Sequence, residues 1–223
     1  MNYVLAIDTT SGTSVSLHHD GELLAKVEDL NSMKHAETVA AAMATVLEQA
    51  RVQPSKISAV VVGRGPAPFT GLRVGIAAGI MFAEGSGAKL FGVVSLDGIA
   101  KQALEQPAIA DSLSADSPLL VTADARRSEV YWALYSGLNR NGVPVCIDGP
   151  GVMKPAELEA LLLERGLTPV RTDLRIAGSQ LAALLAAQLK DGSASHDVTA
   201  LYLREADATV PKDLRAAGKK VSG

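Results

Sequence analysis

The sequence has 223 residues, of which 48% are hydrophobic and 20% are charged, and its formal net charge is −3 at pH 7. This balance is typical of globular proteins and argues against a broad nucleic-acid-binding face. The single cysteine, Cys146, excludes a disulfide within the chain and fits a reducing compartment. We find no signal-peptide pattern and no apolar run of the ~20 residues needed to span a bilayer, so we expect a cytoplasmic protein.

The first half of the chain predicts three strands followed by alternating helices and strands. Residues 13–18 alternate between apolar and polar, and Asp20-Gly21 is a strong hairpin signal. Residues 32–50 carry apolar side chains at helical spacing, and residues 57–62 form a continuous β-branched run, which is typical of a strand buried on both faces. The predicted strands are 4–7, 13–18, 22–28, 57–62 and 90–94, and the predicted helices are 32–50, 71–83 and 96–104.

The second half begins after a polar segment, 106–117, which we interpret as a linker. A strand over 119–123 ends at Asp124, as the strand over 4–7 ends at Asp8, and Asn141-Gly142 is a second hairpin signal. This repetition predicts an internal duplication; coincidence is the alternative, because hairpins are common. The other predicted elements are strands 129–135, 143–147 and 175–177 and helices 155–164 and 180–189. We expect one lobe over 1–105, a second over 106–208 and a disordered tail over 209–223.

A duplication of this kind is the plan of the actin, Hsp70 and sugar-kinase superfamily. The expected fold class is therefore α/β: a duplicated actin-like ATPase (ASKHA, RNase H-like) fold of two lobes, with mixed sheets flanked by helices. In that superfamily ATP lies between the lobes. Strand-end aspartates there orient a metal-bound water, and hydroxyl and amide donors of the first turn hold phosphate. Each aspartate could equally start a turn by bonding nearby amides. The candidate nucleotide-binding residues are Asp8, Thr9, Thr10, Ser11, Gly12 and Asp124.

A glycine-rich run follows the predicted strand 57–62 and opens the next predicted helix, where helix N-terminal amides favour anions. Its spacing matches neither the dinucleotide fingerprint nor the Walker loop, because Pro68 and Leu72 stand where glycine and lysine are required. Its prolines also remove amide donors. We expect a rigid, shaped turn, with a phosphate loop as the alternative. The run is Gly63-Arg64-Gly65-Pro66-Ala67-Pro68-Phe69-Thr70-Gly71-Leu72-Arg73.

Several motifs, in the same order along about 200 residues, resemble the TsaB (YeaZ) family. Ala67-Pro68 replaces the Gly-Ser of that family, which weakens a backbone-binding role for the turn because glycine was the permissive residue. The matching motifs are the glycine-rich run, Ile7-Asp8-Thr9, Asp124-Ala125-Arg126, Glu129-Val130-Tyr131 and Tyr202-Leu203-Arg204.

The resemblance implies a concrete function. TsaB-like proteins are non-catalytic partners of TsaD, which transfers threonylcarbamoyl from threonylcarbamoyl-AMP to the adenosine beside the anticodon of tRNAs that read codons beginning with A. A TsaE-like ATPase joins them. We expect tRNA to be bound only through the complex, because the cationic residues of the tail have no aromatic platform beside them. We expect a homodimer when TsaD is absent, since the pairing surface is then open. Binding of ATP or ADP at the assembled interface is left open by the sequence.

A ridge of glycines recurs every four residues in the predicted helix 71–83. Each interior glycine costs a helix about 0.5–1 kcal/mol relative to alanine, so the ridge indicates that another part of a protein packs very closely. That neighbour is either the chain's own sheet or first helix, or a partner subunit. The resemblance favours a partner, because TsaB-like proteins pair through their first two helices. The predicted interface residues are His35, Val39, Met43, Gly71, Gly75 and Gly79.

Catalytic chemistry receives little support from the residues. The four histidines include no pair at i, i+4, so no metal site is predicted. A Gly-x-Ser-x-Gly elbow is absent from the sequence, and Cys146 lies in a predicted strand, where an inert thiol is expected. We predict no catalytic residue. An independent actin-like ATPase or small-molecule kinase is the alternative, followed by a metal-dependent peptidase. Four cations in the tail, Lys212, Arg215, Lys219 and Lys220, are interpreted as a solvated segment.

Overall fold

The computed structural model describes residues 3–29 and 35–204, apart from the side chains of residues 35–37, 69 and 70. The predicted tail over 209–223, the start of the predicted helix 32–50 and the side chains of His35, Phe69 and Thr70 lie outside this part. The first sheet consists of β1 (Tyr3–Asp8), β2 (Thr13–His19), β3 (Glu22–Asp29), β4 (Ala59–Gly63) and β5 (Lys89–Val93). The second consists of β6 (Leu119–Asp124), β7 (Val130–Leu138), β8 (Pro144–Met153) and β9 (Val170–Arg171). The helices are α1 (His35–Ala50), α2 (Phe69–Ser86), α3 (Ser95–Leu104), α4 (Pro107–Ala110), α5 (Pro155–Glu164) and α6 (Gly178–Asp191).

The two sheets repeat one topology. The first has the order β3-β2-β1-β4-β5 and the second has the order β8-β7-β6-β9. In each, the first strand of the repeat pairs antiparallel with the second and parallel with the fourth. Both are therefore mixed sheets flanked by helices, and the predicted α/β class and duplicated order are confirmed.

The helices cover both faces of the first sheet, as the buried run over 57–62 predicts. Leu5 and Ile7 of β1 pack into the core beneath α1 and α2. Val4 and Ala6 point the other way and pack with residues of α3 and α6, because successive side chains of a strand face opposite sides of the sheet. The pair α1 and α2 and the pair α3 and α6 consequently lie on opposite faces.

Several predicted boundaries need correction. The predicted linker 106–117 contains the short helix α4, and the predicted strand 175–177 is instead the approach to α6, where the amide of Ala177 donates to the side chain of Gln180. The parallel fourth strand is the two-residue β9. Strand β8 continues to Met153, beyond the predicted end at residue 147, and α2 runs from Phe69 to Ser86 rather than 71–83. It stops at Gly87, whose φ of 76° is a left-handed C-cap.

The two halves share a core. One cluster of buried residues combines Phe91 and Leu96 from the first half with Leu119, Tyr135 and Leu181 from the second. The division at residues 105 and 106 therefore stays a prediction about lobes that pack directly against each other.

A partly buried hydrogen bond joins the halves beside this core. The hydroxyl of Tyr135 on β7 donates to Oδ1 of Asp97 on α3, over 2.7 Å. Burial raises the pKa of Asp97 to about 6, although the hydrogen bond from Tyr135 and the charge of Arg64 act in the opposite direction. Burial and the neighbouring Asp97 also raise the pKa of Tyr135 well above its usual value, so its hydroxyl keeps its proton and remains the donor.

The shifted pKa of Asp97 predicts a pH-dependent stability. The folded state binds the proton of Asp97 more tightly than the unfolded state, so its contribution is present in full below pH 4 and is lost as the pH rises through about 6. Asp97→Asn removes this titration. The difference in free energy of unfolding between the wild type and Asp97→Asn should fall by about 2 kcal/mol between pH 4 and pH 7.5, as measured by urea denaturation at each pH. Tyr135→Phe should steepen the wild-type decline, and a difference that stays constant with pH would contradict the prediction.

Candidate functional site

The end of β1 meets the end of β4 and the start of α3 at the carboxylate of Asp8, which is only 1% exposed. Its Oδ1 atom accepts hydrogen bonds from the amide of Thr10 at 2.8 Å and from the Thr10 hydroxyl at 2.6 Å. Its Oδ2 atom accepts from the hydroxyl of Ser95 at 2.9 Å. A Cβ atom at Gly63 would overlap Oδ2. The geometry therefore fits the turn-starting interpretation of Asp8, since both oxygens are bound by donors of the chain itself.

The second strand-end aspartate, Asp124, lies in a different environment. Its side chain is 67% exposed, and its carboxylate accepts a hydrogen bond from the amide of Arg126 at 2.8 Å and forms an ion pair with the same residue. Arg126, Arg127 and Ser128 all have positive φ angles, between 54° and 63°, so this carboxylate starts a tight and unusual turn. Burial thus separates two aspartates that the sequence treats as equivalent.

The other candidate residues of the first loop point in different directions. Thr9 is buried and turns towards α2, where its hydroxyl donates to the carbonyl of Gly71 at 2.8 Å and accepts from the amide of Gly75 at 3.1 Å. Ser11 is exposed and Gly12 has a φ of 142°. The loop therefore presents its hydroxyl groups in several directions instead of converging on one point.

The glycine-rich turn between β4 and α2 is held by backbone hydrogen bonds to β5 and α3. The amide of Arg64 donates to the carbonyl of Val93 at 2.9 Å, and the carbonyl of Gly65 accepts from the amide of Ser95 at 2.8 Å. Gly65 has a φ of 98° and is followed by a cis peptide bond to Pro66. A residue with a side chain would be strained at this φ, which explains the second glycine of the motif.

A segment near the end of the described chain, residues 195–204, lies across the turn and β5; we call it the C-terminal strap. The amide of Gly92 in β5 donates to the carbonyl of Ser195 at 3.0 Å, and the amide of Leu201 donates to the carbonyl of Arg64 at 2.7 Å. The Arg64 guanidinium also forms an ion pair with Asp197 at 2.8 Å. The strap covers the outer edge of β5, which is the last strand of the first sheet.

Two further arginines attach the strap. Arg73, in the first turns of α2, donates to the hydroxyl of Tyr202 at 2.7 Å and lies 5.5 Å from the centre of its ring. Arg204 forms an ion pair with Glu129, beside the turn that follows Asp124. Three motifs that are widely separated in the sequence are therefore connected: the glycine-rich run, Glu129-Val130-Tyr131 and Tyr202-Leu203-Arg204. Sequence reasoning missed this contact, although two signals were available: the shared Tyr-Leu-Arg motif and the two-residue spacing of Val198, Ala200 and Tyr202, which pack against the core beneath α1 and α2.

The glycine ridge and the two core residues of α1 do not lie on an outer surface. Val39, Met43, Gly71, Gly75 and Gly79 are all buried within the chain. A Cβ atom at Gly75 would overlap the hydroxyl of Thr9, and one at Gly79 would overlap a methyl of Val62 on β4. The close neighbour of the ridge is therefore the chain's own sheet and first loop. This corrects the assignment of these five residues to a partner interface, and the side chain of His35 lies outside the described part.

The outer surface of α1 and α2 is formed by other residues, which we call the docking face. The two helices lie side by side, and between their exposed charged residues they present small and apolar side chains. Met81 is 74% exposed, and Ile80 beside it is also exposed. Arg73 and Glu84 lie at the two ends of the stripe on α2. The docking face consists of Ala40, Ala41 and Ala44 on α1 and Ala77, Ile80 and Met81 on α2.

Neither a metal site nor a membrane-spanning helix is found in the described ranges. Within residues 3–29 and 35–204, no three His, Cys, Asp or Glu side chains lie close enough together to hold a metal ion. In the same ranges, no helix is both long enough and apolar enough to cross a membrane.

Comparison with known sequences gives a consistent result. A family model described as TsaD, tRNA N6-adenosine threonylcarbamoyltransferase, matches residues 28–210. An uncharacterised protein of Mycobacterium leprae is 34% identical over 230 residues, which cover 93% of this chain and 56% of that protein. The tRNA threonylcarbamoyladenosine biosynthesis protein TsaB of Escherichia coli is 33% identical over 153 residues, which cover 68% of this chain and 62% of that protein. The chain thus spans roughly 60% of the length of these curated relatives.

Solved structures agree on the fold. A Pseudomonas aeruginosa protein described as similar to the peptidase YeaZ aligns with a TM-score of 0.74 at 24% identity, over 92% of this chain and 100% of that chain. YeaZ from the same organism aligns with a TM-score of 0.72 at 23% identity, over 91% of this chain and 100% of that one. The repeated topology and these likenesses define a duplicated α/β protein with the fold of YeaZ. More narrowly, the chain belongs to the family that the TsaD model describes, on its TsaB (YeaZ) branch.

The two strand-end aspartates should differ sharply when each is replaced by asparagine. Asp8→Asn removes a buried charge that accepts three hydrogen bonds and should lower the free energy of unfolding by about 2–4 kcal/mol. Asp124→Asn changes an exposed ion pair and should cost about 0.5 kcal/mol. Urea denaturation of both variants measures the contrast. Equal, small losses would show that the Asp8 carboxylate is not a structural centre.

The ridge can be tested within a single helix. Gly79→Ala introduces a methyl group that overlaps Val62 and should lower the free energy of unfolding by about 1–3 kcal/mol. Gly85 lies in the same helix with open space around its Cβ position, so Gly85→Ala should raise it by about 0.5–1 kcal/mol. Thermal or urea denaturation distinguishes the two variants. A stabilising Gly79→Ala would contradict the close packing of α2 on β4.

Proposed function

We propose that the chain is a non-catalytic partner of a TsaD-like subunit in the transfer of threonylcarbamoyl from threonylcarbamoyl-AMP to the adenosine beside the anticodon of tRNAs reading A-starting codons. Membership of the TsaB (YeaZ) branch supports this role, because relatives there are named for tRNA threonylcarbamoyladenosine biosynthesis. The structural observation that carries it is the docking face, an uncharged strip on two adjacent helices, together with a first loop whose buried carboxylate is already bound by the chain.

The docking face has the properties of a subunit contact. Its alanines allow a partner's backbone to approach closely, while Ile80 and Met81 project as apolar anchors. Apolar surface buried on pairing contributes about 25 cal/mol per Å² before the costs of association are subtracted. Methionine is suited to such a contact because its flexible thioether adapts to an irregular surface.

The remaining partners follow from this role. A TsaE-like ATPase joins the pair, and tRNA is bound by the complex rather than by this chain alone, in keeping with the net charge of −3. ATP or ADP binds at the assembled interface, and not to the isolated chain. A second copy occupies the docking face when the TsaD-like subunit is absent. All of this takes place in the cytoplasm.

An independent ATPase or kinase is less well supported. Such an enzyme needs the strand-end carboxylate to face a metal-bound water and phosphate, whereas the Asp8 oxygens face Thr10 and Ser95. The Thr9 hydroxyl is likewise bound to α2. The first loop therefore supports the partner role better than a phosphate-binding role.

Met81→Glu tests the docking face directly. A carboxylate at this position would have to be buried against the partner, so pairing with a TsaD-like subunit should weaken at least about tenfold. Calorimetry of the purified pair gives the affinity, and a tRNA modification assay with and without the chain gives the functional effect.

Leu163→Glu is the matched control. Leu163 on α5 is 81% exposed, so the variant adds the same charge at an equally accessible apolar position on another helix. It should pair normally and support modification. Equal affinities for the two variants would place the contact elsewhere, and a wild-type chain that neither pairs nor supports modification would overturn the proposed function.

A further inference from the structure

The hydroxyl of Thr9 occupies an unusual position at the start of α2. In an α-helix the amide of residue i+4 pairs with the carbonyl of residue i, and Gly75 and Gly71 are such a pair. The Thr9 hydroxyl donates to the Gly71 carbonyl at 2.8 Å and accepts from the Gly75 amide at 3.1 Å. A side chain from the first loop therefore hydrogen-bonds both members of a pair that the helix itself would join.

The fit is close on every side. Thr9 is 1% exposed, and a Cβ atom at Gly75 would overlap its hydroxyl. The neighbouring Asp8 fixes the loop through Thr10 and Ser95. The loop therefore holds Thr9 in a fixed position, in contact with the first turns of α2.

We propose that Thr9 is a positioning residue for the docking face, an inference that rests on the proposed function. Its two hydrogen bonds set the height and rotation of the first turns of α2. Arg73 lies between Gly71 and Gly75 on the outer side of those turns, and Ala77, Ile80 and Met81 follow within two further turns. A helix is stiff enough that a displacement at its start moves these side chains with it.

Apolar packing alone would not fix the position of α2 along the sheet. Leu72 and Ile76 hold α2 against the sheet, but apolar contacts are non-directional. Hydrogen bonds depend steeply on distance and angle, so the hydroxyl fixes where along the sheet the helix begins. Thr9 thus links the first loop to the surface that meets a partner.

The test compares three variants. Thr9→Val replaces the hydroxyl by a methyl group of similar size, which needs about 3.3 Å or more from a carbonyl oxygen, so the first turns of α2 must move. Thr9→Ser keeps the hydroxyl and should behave as the wild type. Ser14→Ala is the control, because Ser14 is a buried hydroxyl that accepts a hydrogen bond from Gly178 of α6 at 2.8 Å, on the opposite face of the sheet.

Two measurements decide the outcome. In the isolated chain, Thr9→Val should shift the backbone amide NMR signals of residues 71–84 more than those of α6, and Ser14→Ala should do the reverse. In calorimetry with a TsaD-like subunit, Thr9→Val should weaken pairing about tenfold, the equivalent of one net hydrogen bond, while Thr9→Ser and Ser14→Ala pair normally.

The outcomes separate this inference from the function on which it rests. Unchanged α2 signals in Thr9→Val, or a loss of pairing as large in Ser14→Ala as in Thr9→Val, would overturn the positioning role. If the wild type fails to pair, the proposed function and the docking role of Thr9 both fail, even when the α2 signals still show that Thr9 positions the helix.

Discussion

The carboxylate of Asp8 is the contact on which the first half of the molecule depends. It ends β1, accepts both donors of Thr10 and binds the hydroxyl of Ser95 at the start of α3. Ser95 in turn donates its amide to the carbonyl of Gly65 in the glycine-rich turn. One buried charge therefore fixes a loop, a turn and a helix relative to the end of a strand. A buried carboxylate requires such donors, since leaving it without them would cost several kcal/mol.

The glycine-rich turn borders the same contact, because its Gly65 carbonyl accepts the amide of Ser95. Its arginine and that of α2 hold the C-terminal strap through Asp197 and Tyr202, and the strap approaches β5 so closely that a Cβ atom at Gly92 would overlap its backbone. The strap then reaches the second half through the ion pair of Arg204 with Glu129. Motif residues that suggest phosphate binding in isolation thus connect the two halves of one chain.

Much of this fold follows from local pattern, and the exceptions have physical causes. Alternation and helical spacing predict β1–β5 and α1–α3, because each of these elements buries a face whose period is visible in the sequence. The strand β9 is missed because its two residues are held by pairing with β6 rather than by any period of their own. The strap is missed for another reason: Val198, Ala200 and Tyr202 pack at two-residue spacing, but the strap is held in place by ion pairs and hydrogen bonds to residues more than a hundred positions away.

The partner-interface residues on α1 and α2 were assigned incorrectly for a different reason. A four-residue glycine spacing is the same whether the close neighbour is a partner helix or the chain's own strand, so the spacing cannot name the neighbour. The apolar stripe of α1, which includes Val39 and Met43, is by default the face that a helix turns towards its own core.

The surface left for a partner is formed by the residues between those stripes, where alanine replaces the charged side chains usual on an exposed helix. Both sides of α2 are therefore constrained, the inner side by the sheet and Thr9 and the outer side by the docking face. A substitution on one side can change the other without touching it, and for this reason the loss of a buried hydroxyl in the first loop can affect a surface two turns further along α2.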